Sequence, residues 1–71
     1  MYYKKSGSKQ LKQCKKYNYR IFENYNYSEM GGYEYYYVIT DYKGNYINAL
    51  PNYNLVLKEE KLIKERFIKV V

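Results

Sequence analysis

Tyr33-Glu34-Tyr35-Tyr36-Tyr37-Val38-Ile39-Thr40 decides the fold. Its residues alternate, with Tyr33, Tyr35, Tyr37 and Ile39 on one parity and Glu34, Tyr36, Val38 and Thr40 on the other. Period two is the signature of a strand, and β-branched and aromatic side chains suit a pleated surface. Both parities carry apolar atoms, so this strand is expected to be central, with one face less fully covered.

Downstream, Asp41-Tyr42-Lys43-Gly44-Asn45 reads as a hairpin loop, with Gly44 or Asn45 in the left-handed region. Tyr46 to Leu50 is the return strand, ended by Pro51, which cannot donate to a ladder. Upstream, Ser28 to Gly32 is a turn. Before it, Tyr17, Tyr19, Ile21, Tyr25 and Tyr27 share a parity over residues 17–27 and predict another strand. Asn52-Tyr53-Asn54 reads as a tight or 3₁₀ turn before apolar Leu55-Val56-Leu57. At the end, Leu62, Ile63, Arg66, Phe67 and Val70 fit a helical stripe, and Glu60/Lys64 and Glu65/Lys69 are i,i+4 pairs. The expectation is a short helix near 58–66 followed by an extended tail, with a closing strand through residues 67–71 as the competing reading.

Residues 1–16 read as a basic flexible arm, and residues 17–71 as a single small β-rich domain. Residues 1–20 hold seven basic groups and no acid, whereas residues 21–71 hold six basic and seven acidic, so the net +6 resides in the first twenty. Only Leu11 and Cys14 are apolar between Ser8 and Lys16. The arm is therefore expected to order only on docking, as a helical turn.

The segment Tyr46 to Leu57 resembles the end of an SH3 domain, carried by Ala49-Leu50-Pro51-Asn52-Tyr53, and the hairpin Tyr35 to Leu50 resembles the central hairpin of such a barrel. The resemblance implies a small SH3-like β-barrel. The chain lacks an Ala-Leu-Tyr-Asp-Tyr opening and a tryptophan on the hairpin, and it continues for 14 residues beyond Leu57. The fold class expected is mainly β: a small SH3-like barrel or an antiparallel meander, with α+β as the alternative.

With a single cysteine, Cys14, no intrachain disulfide forms, and with no histidine neither a Cys/His zinc finger nor a Ser–His or Cys–His nucleophile pair exists within the chain. Glu59 and Glu60 diverge by about 100° on a helix and cannot share a metal or a proton. No phosphate-cradling glycine motif occurs. No cofactor is expected and no enzyme. No run approaches the length of a membrane span or a secretory leader, so the expected location is cytoplasmic, with no membrane partner.

What remains is binding. The chain has 13 tyrosines against two phenylalanines and no tryptophan, more phenol rings than so short a polypeptide can bury. Two surfaces follow. The first is basic: Lys4, Lys5, Lys9, Lys12, Lys15, Lys16, Tyr17 and Arg20, where cations interleaved with aromatics suit phosphates and stacked bases. The second is a tyrosine interface on a sheet face, Tyr36 with some of Tyr25, Tyr27, Tyr33, Tyr35, Tyr42, Tyr46 and Tyr53: Tyr27, Tyr36, Tyr42 and Tyr46 are the interface residues, with Tyr27, Tyr36 and Tyr42 expected to be exposed and Tyr19, Tyr35 and Tyr37 packed. The first surface makes the chain a nucleic-acid-binding protein. The second makes it a protein-binding inhibitor or modulator of phage or mobile-element type, for example of a host defence nuclease. The partner is then nucleic acid or a nucleic-acid-processing protein. Homo-oligomerisation through edge strands is a third reading.

Overall fold

The computed structural model describes residues 8–27 and 29–70, and the side chains of those up to 66. Four antiparallel strands, β1 (Lys9–Cys14), β2 (Tyr19–Tyr27), β3 (Tyr33–Thr40) and β4 (Tyr46–Leu50), form one sheet in chain order, and a helix, α1 (Tyr53–Val70), follows. The fold is a mainly β meander with one C-terminal helix.

β3 lies between β2 and β4, as its two apolar parities require. Ile21 pairs with Ile39 and Phe22 with Val38, so each face carries an apolar cross-strand pair. On the helix side Tyr19, Ile21 and Ile39 meet Val56 of α1, and all four are buried. Cys14, Tyr17, Tyr37, Leu50 and Ile63 pack around them. Phe22 and Val38 are buried on the reverse face.

The loops follow local chemistry. Gly44 takes φ +97°, the left-handed region that a side chain resists. Asp41 organises the same loop, accepting from the Asn45 backbone N–H at 2.8 Å and its side-chain amide at 3.0 Å. These bonds hold the Asp41 carboxyl below its ordinary range, the Asn45 side-chain bond most. In the β1–β2 turn Asn18 has φ 60°, one of few non-glycine types that tolerates it, and its side-chain oxygen accepts from the Tyr42 N–H at 3.0 Å. The two loops therefore lie at one end of the sheet.

The C-terminal third departs from the expectation of a short helix near 58–66 with an extended tail. Instead, one helix runs from Tyr53 to Val70. Pro51 ends β4, and Asn52 caps the helix: its side-chain oxygen accepts from the Leu55 N–H at 3.0 Å and its carbonyl from the Val56 N–H at 3.4 Å. The apolar run Leu55-Val56-Leu57 lies at the start of this helix, with Val56 inward and Leu55 and Leu57 exposed. Residues 35–50 do form a hairpin, β3–β4, within a small antiparallel sheet.

The basic leader also differs. Residues 9–14, expected to order only as a helical turn on docking, form edge strand β1, which pairs with β2 from Lys9↔Glu23 to Cys14↔Tyr19 and bulges at Leu11. Cross-strand hydrogen bonding supplies what the side chains lack in apolar surface. Residues 1–7 lie outside the described part.

Candidate functional site

β2 and β3 are longer than their neighbours. They pair from Arg20↔Thr40 out to Tyr27↔Tyr33. β1 follows β2 only as far as Glu23, and β4 leaves β3 at Tyr37. Residues 24–36 thus form a hairpin that reaches beyond both described flanking strands, by about 13 Å at 3.4 Å per residue.

Parity decides what this overhang displays. Tyr25, Tyr27, Tyr33 and Tyr35 continue the row that begins with Tyr19, Ile21 and Ile39, but α1 covers only the inner half. The four outer rings stay open: Tyr25 is 45% exposed, Tyr27 71%, Tyr33 57% and Tyr35 54%. Tyr25 and Tyr35 are directly opposed, as are Tyr27 and Tyr33. The rings interlock edge to face, Tyr25 on Tyr33 at 5.1 Å and Tyr27 on Tyr33 at 5.5 Å between centroids, with Tyr35 tilted against Tyr25 at 6.3 Å. Such contacts contribute about 0.5–1.5 kcal/mol each and stiffen a two-stranded ribbon that is marginal in water. They explain why the hairpin projects. They leave about half of each ring in water.

The ladder is anchored at its base. Tyr37 meets Tyr53 at the helix start, 5.5 Å between centroids. Burial and then the neighbouring Glu23 carboxylate, to which its hydroxyl bonds, push the Tyr37 phenol pKa upward. Deeper, Glu60 of α1 accepts from Lys12 Nζ and from the Tyr19 hydroxyl. Glu60 is 8% exposed and Tyr19 fully buried. Burial raises the Glu60 pKa, but the hydrogen bonds from Lys12 and Tyr19 and the charges of Lys12 and Lys64 outweigh it, so the carboxyl ends below its ordinary value. This triad locks α1 onto β1 and β2; it serves the scaffold.

The basic surface is dispersed. Lys4 and Lys5 lie outside the described residues. Lys9 is exposed opposite Glu23, and Lys12 is committed to Glu60. Arg20 is held as well: its Nε donates to the Tyr42 carbonyl at 2.7 Å, its guanidinium to Gln10 at 2.9 Å, and it stacks on the Tyr42 ring at 4.5 Å. Lys15 and Lys16 are exposed in the β1–β2 turn. There Lys16 and Lys64, at 5.3 and 5.6 Å, flank the half-buried Tyr17 ring.

The structure divides the expected tyrosine interface too. Tyr27 belongs to the ladder. Tyr36 sits opposite Asn24 on the reverse face and is half-buried. Tyr42 lies under Arg20 at the far end, and Tyr46 is exposed opposite Thr40. Tyr35, expected to pack, is open, while Tyr19 and Tyr37 are buried and half-buried. Tyr25, Tyr33 and Tyr35, candidates for that face that share Tyr27's row across the turn, complete the ladder.

Among the described residues no cluster of His, Cys, Asp and Glu is arranged to hold a metal ion, and no helix is long and apolar enough to cross a membrane. The chain matches no protein-family model, no curated protein and no solved structure.

Proposed function

We propose that this chain is a non-enzymatic binding protein that docks on a partner protein through the tyrosine ladder of its projecting hairpin. The carrying observation is that Tyr25, Tyr27, Tyr33 and Tyr35 stand on one face, interlocked and half exposed. Tyrosine gives large amphipathic contact area at low conformational cost, and rings already braced by one another lose little freedom on binding. A small modulator or inhibitor that occupies a partner's site fits this geometry.

The cationic end favours a second reading, nucleic-acid contact. Lys15 and Lys16 with Tyr17 between Lys16 and Lys64 combine charge with a ring. DNA binding there would lose affinity with salt at a log–log slope of about −0.9 per phosphate engaged.

Nuclease-treated pull-down from the native host, followed by affinity measurement with the purified partner, separates the two. Tyr27→Ala with Tyr33→Ala weakens the protein complex by about tenfold or more, and Lys15→Glu with Lys16→Glu changes it by less. Capture that vanishes with nuclease, and follows the lysines, assigns the chain to nucleic acid instead.

A further inference from the structure

We infer that the tyrosine ladder receives a positively charged protein segment, one bearing arginine or lysine; this rests on the protein-docking reading above. The overhang of residues 24–36 carries Glu29 and Glu34 and no cation, although the chain as a whole is +6. Indeed no lysine or arginine occurs between Arg20 and Lys43. Glu23 stands on the ladder's own face at its base, with Lys9 opposite it on β1. Glu29 lies in the turn, and Glu34 pairs with Asn26 on the reverse side of the ribbon.

Elsewhere the molecule shows what its phenol rings do near a cation. Tyr17 has Lys16 and Lys64 beside it, and Tyr42 has Arg20 over its face. Among the described residues no cation lies over Tyr25, Tyr27, Tyr33 or Tyr35. Ring faces are electron-rich and attract guanidinium and ammonium groups, and the overhang's carboxylates add to that attraction. An acidic or phosphate-bearing ligand would meet the opposite field. A basic strip of a partner, such as a groove that itself holds nucleic acid, is complementary.

The test uses the full-length chain, isotope-labelled, titrated with an alternating glycine–arginine peptide and, in parallel, with a glycine–glutamate peptide and an oligothymidine. The arginine peptide should shift the resonances of Tyr25, Tyr27, Tyr33 and Tyr35, and the other two should leave them in place. Tyr27→Ala with Tyr33→Ala should weaken that binding about tenfold, and Glu29→Gln with Glu34→Gln about threefold with a shallower salt dependence. Ladder shifts of equal size with the acidic peptide or the oligothymidine overturn the inference. So does self-association by light scattering that the tyrosine variant abolishes, which would make a second copy the occupant. If the arginine peptide leaves the ladder unmoved while the same tyrosine variant still loses its native protein partner, the cationic chemistry fails and the docking surface stands. If the variant loses nothing, the docking surface itself fails.

Discussion

Lys12 and Glu60, 48 residues apart in sequence, form an ion pair on the helix side of the sheet, and the Tyr19 hydroxyl donates to the same carboxylate oxygen. The lysine keeps about half its side chain in water and the glutamate almost none. The pair fixes the helix over β1 and β2, and so sets which tyrosines of the same row are covered and which are left open.

Replacing Glu60 by glutamine keeps the shape and removes the charge. Because Lys12 can swing to solvent, the cost should be modest, about 1–2 kcal/mol, rather than that of a deeply buried broken pair. In a chain of this size that lowers the melting temperature by about 5–15 °C. Thermal melts of Glu60→Gln beside the parent decide it, and an unchanged midpoint would show that the triad contributes nothing.

The same pair sets a pH dependence with a definite sign. The Glu60 carboxyl titrates below 4.5 in the fold, so its contribution is present above 4.5 and is lost as pH falls through the lower folded value. Lys12 is raised above 10.5, chiefly by its hydrogen bond to Glu60, so its contribution is present below 10.5 and is lost as pH climbs through the raised value. Burial, then the bond to Glu60, raises the Tyr19 phenol above its ordinary 10.0, and it acts in the same direction as Lys12. Denaturant titrations should find a plateau through neutral pH and a fall on either side. The gap between parent and Glu60→Gln should shrink in acid, and a gap that stays constant there refutes the assignment.

The helix phase gives a third expectation. Val56 is fully buried and Leu62 is 48% exposed, although leucine is the more apolar side chain. Val56→Ala should cost about 2 kcal/mol through lost burial and a residual cavity. Leu62→Ala should stay within about 0.5 kcal/mol. Equal costs, or the reverse order, would place a different face of the helix against the sheet.

These residues also show how far the sequence could be read. Period two locates β2 and β3, because alternation is a local property and Ile21, Val38 and Ile39 occupy the parities that a central strand requires; the hairpin loop and Pro51 locate β4. β1 was hidden, since Lys9-Gln10-Leu11-Lys12-Gln13-Cys14 holds too little apolar surface to announce a strand. Its order comes from pairing with β2 across a short turn and from Glu60, which bonds Lys12 from 48 residues away. The full length of the helix is masked in the sequence because Asn52 and Asn54 suit a turn as well as a cap, and because the inward stripe Val56, Glu60 and Ile63 has a carboxylate at its centre. An excess of phenol rings was visible from composition. Which rings stay open depends on where the flanking strands and helix stop, and no local pattern records that.

The last expectation separates stability from binding at the ladder. Tyr27 and Tyr33 touch each other and water, and they lie beyond the buried cluster of Tyr19, Ile21, Ile39 and Val56. Tyr27→Ala with Tyr33→Ala removes edge-to-face contacts worth about 0.5–1.5 kcal/mol each, so the fold should survive with a lowered midpoint. Tyr27→Phe with Tyr33→Phe keeps the rings and removes only the hydroxyls, and its stability should match the parent within about 0.5 kcal/mol. If ring faces meet a cationic partner, the phenylalanine pair keeps most of the affinity while the alanine pair loses about tenfold. If phenol hydroxyls carry recognition, the two pairs lose affinity alike. Calorimetric titration with the glycine–arginine peptide, beside thermal melts of the same samples, reads both quantities. An alanine pair that binds like the parent leaves the ladder as a brace for the hairpin and nothing more.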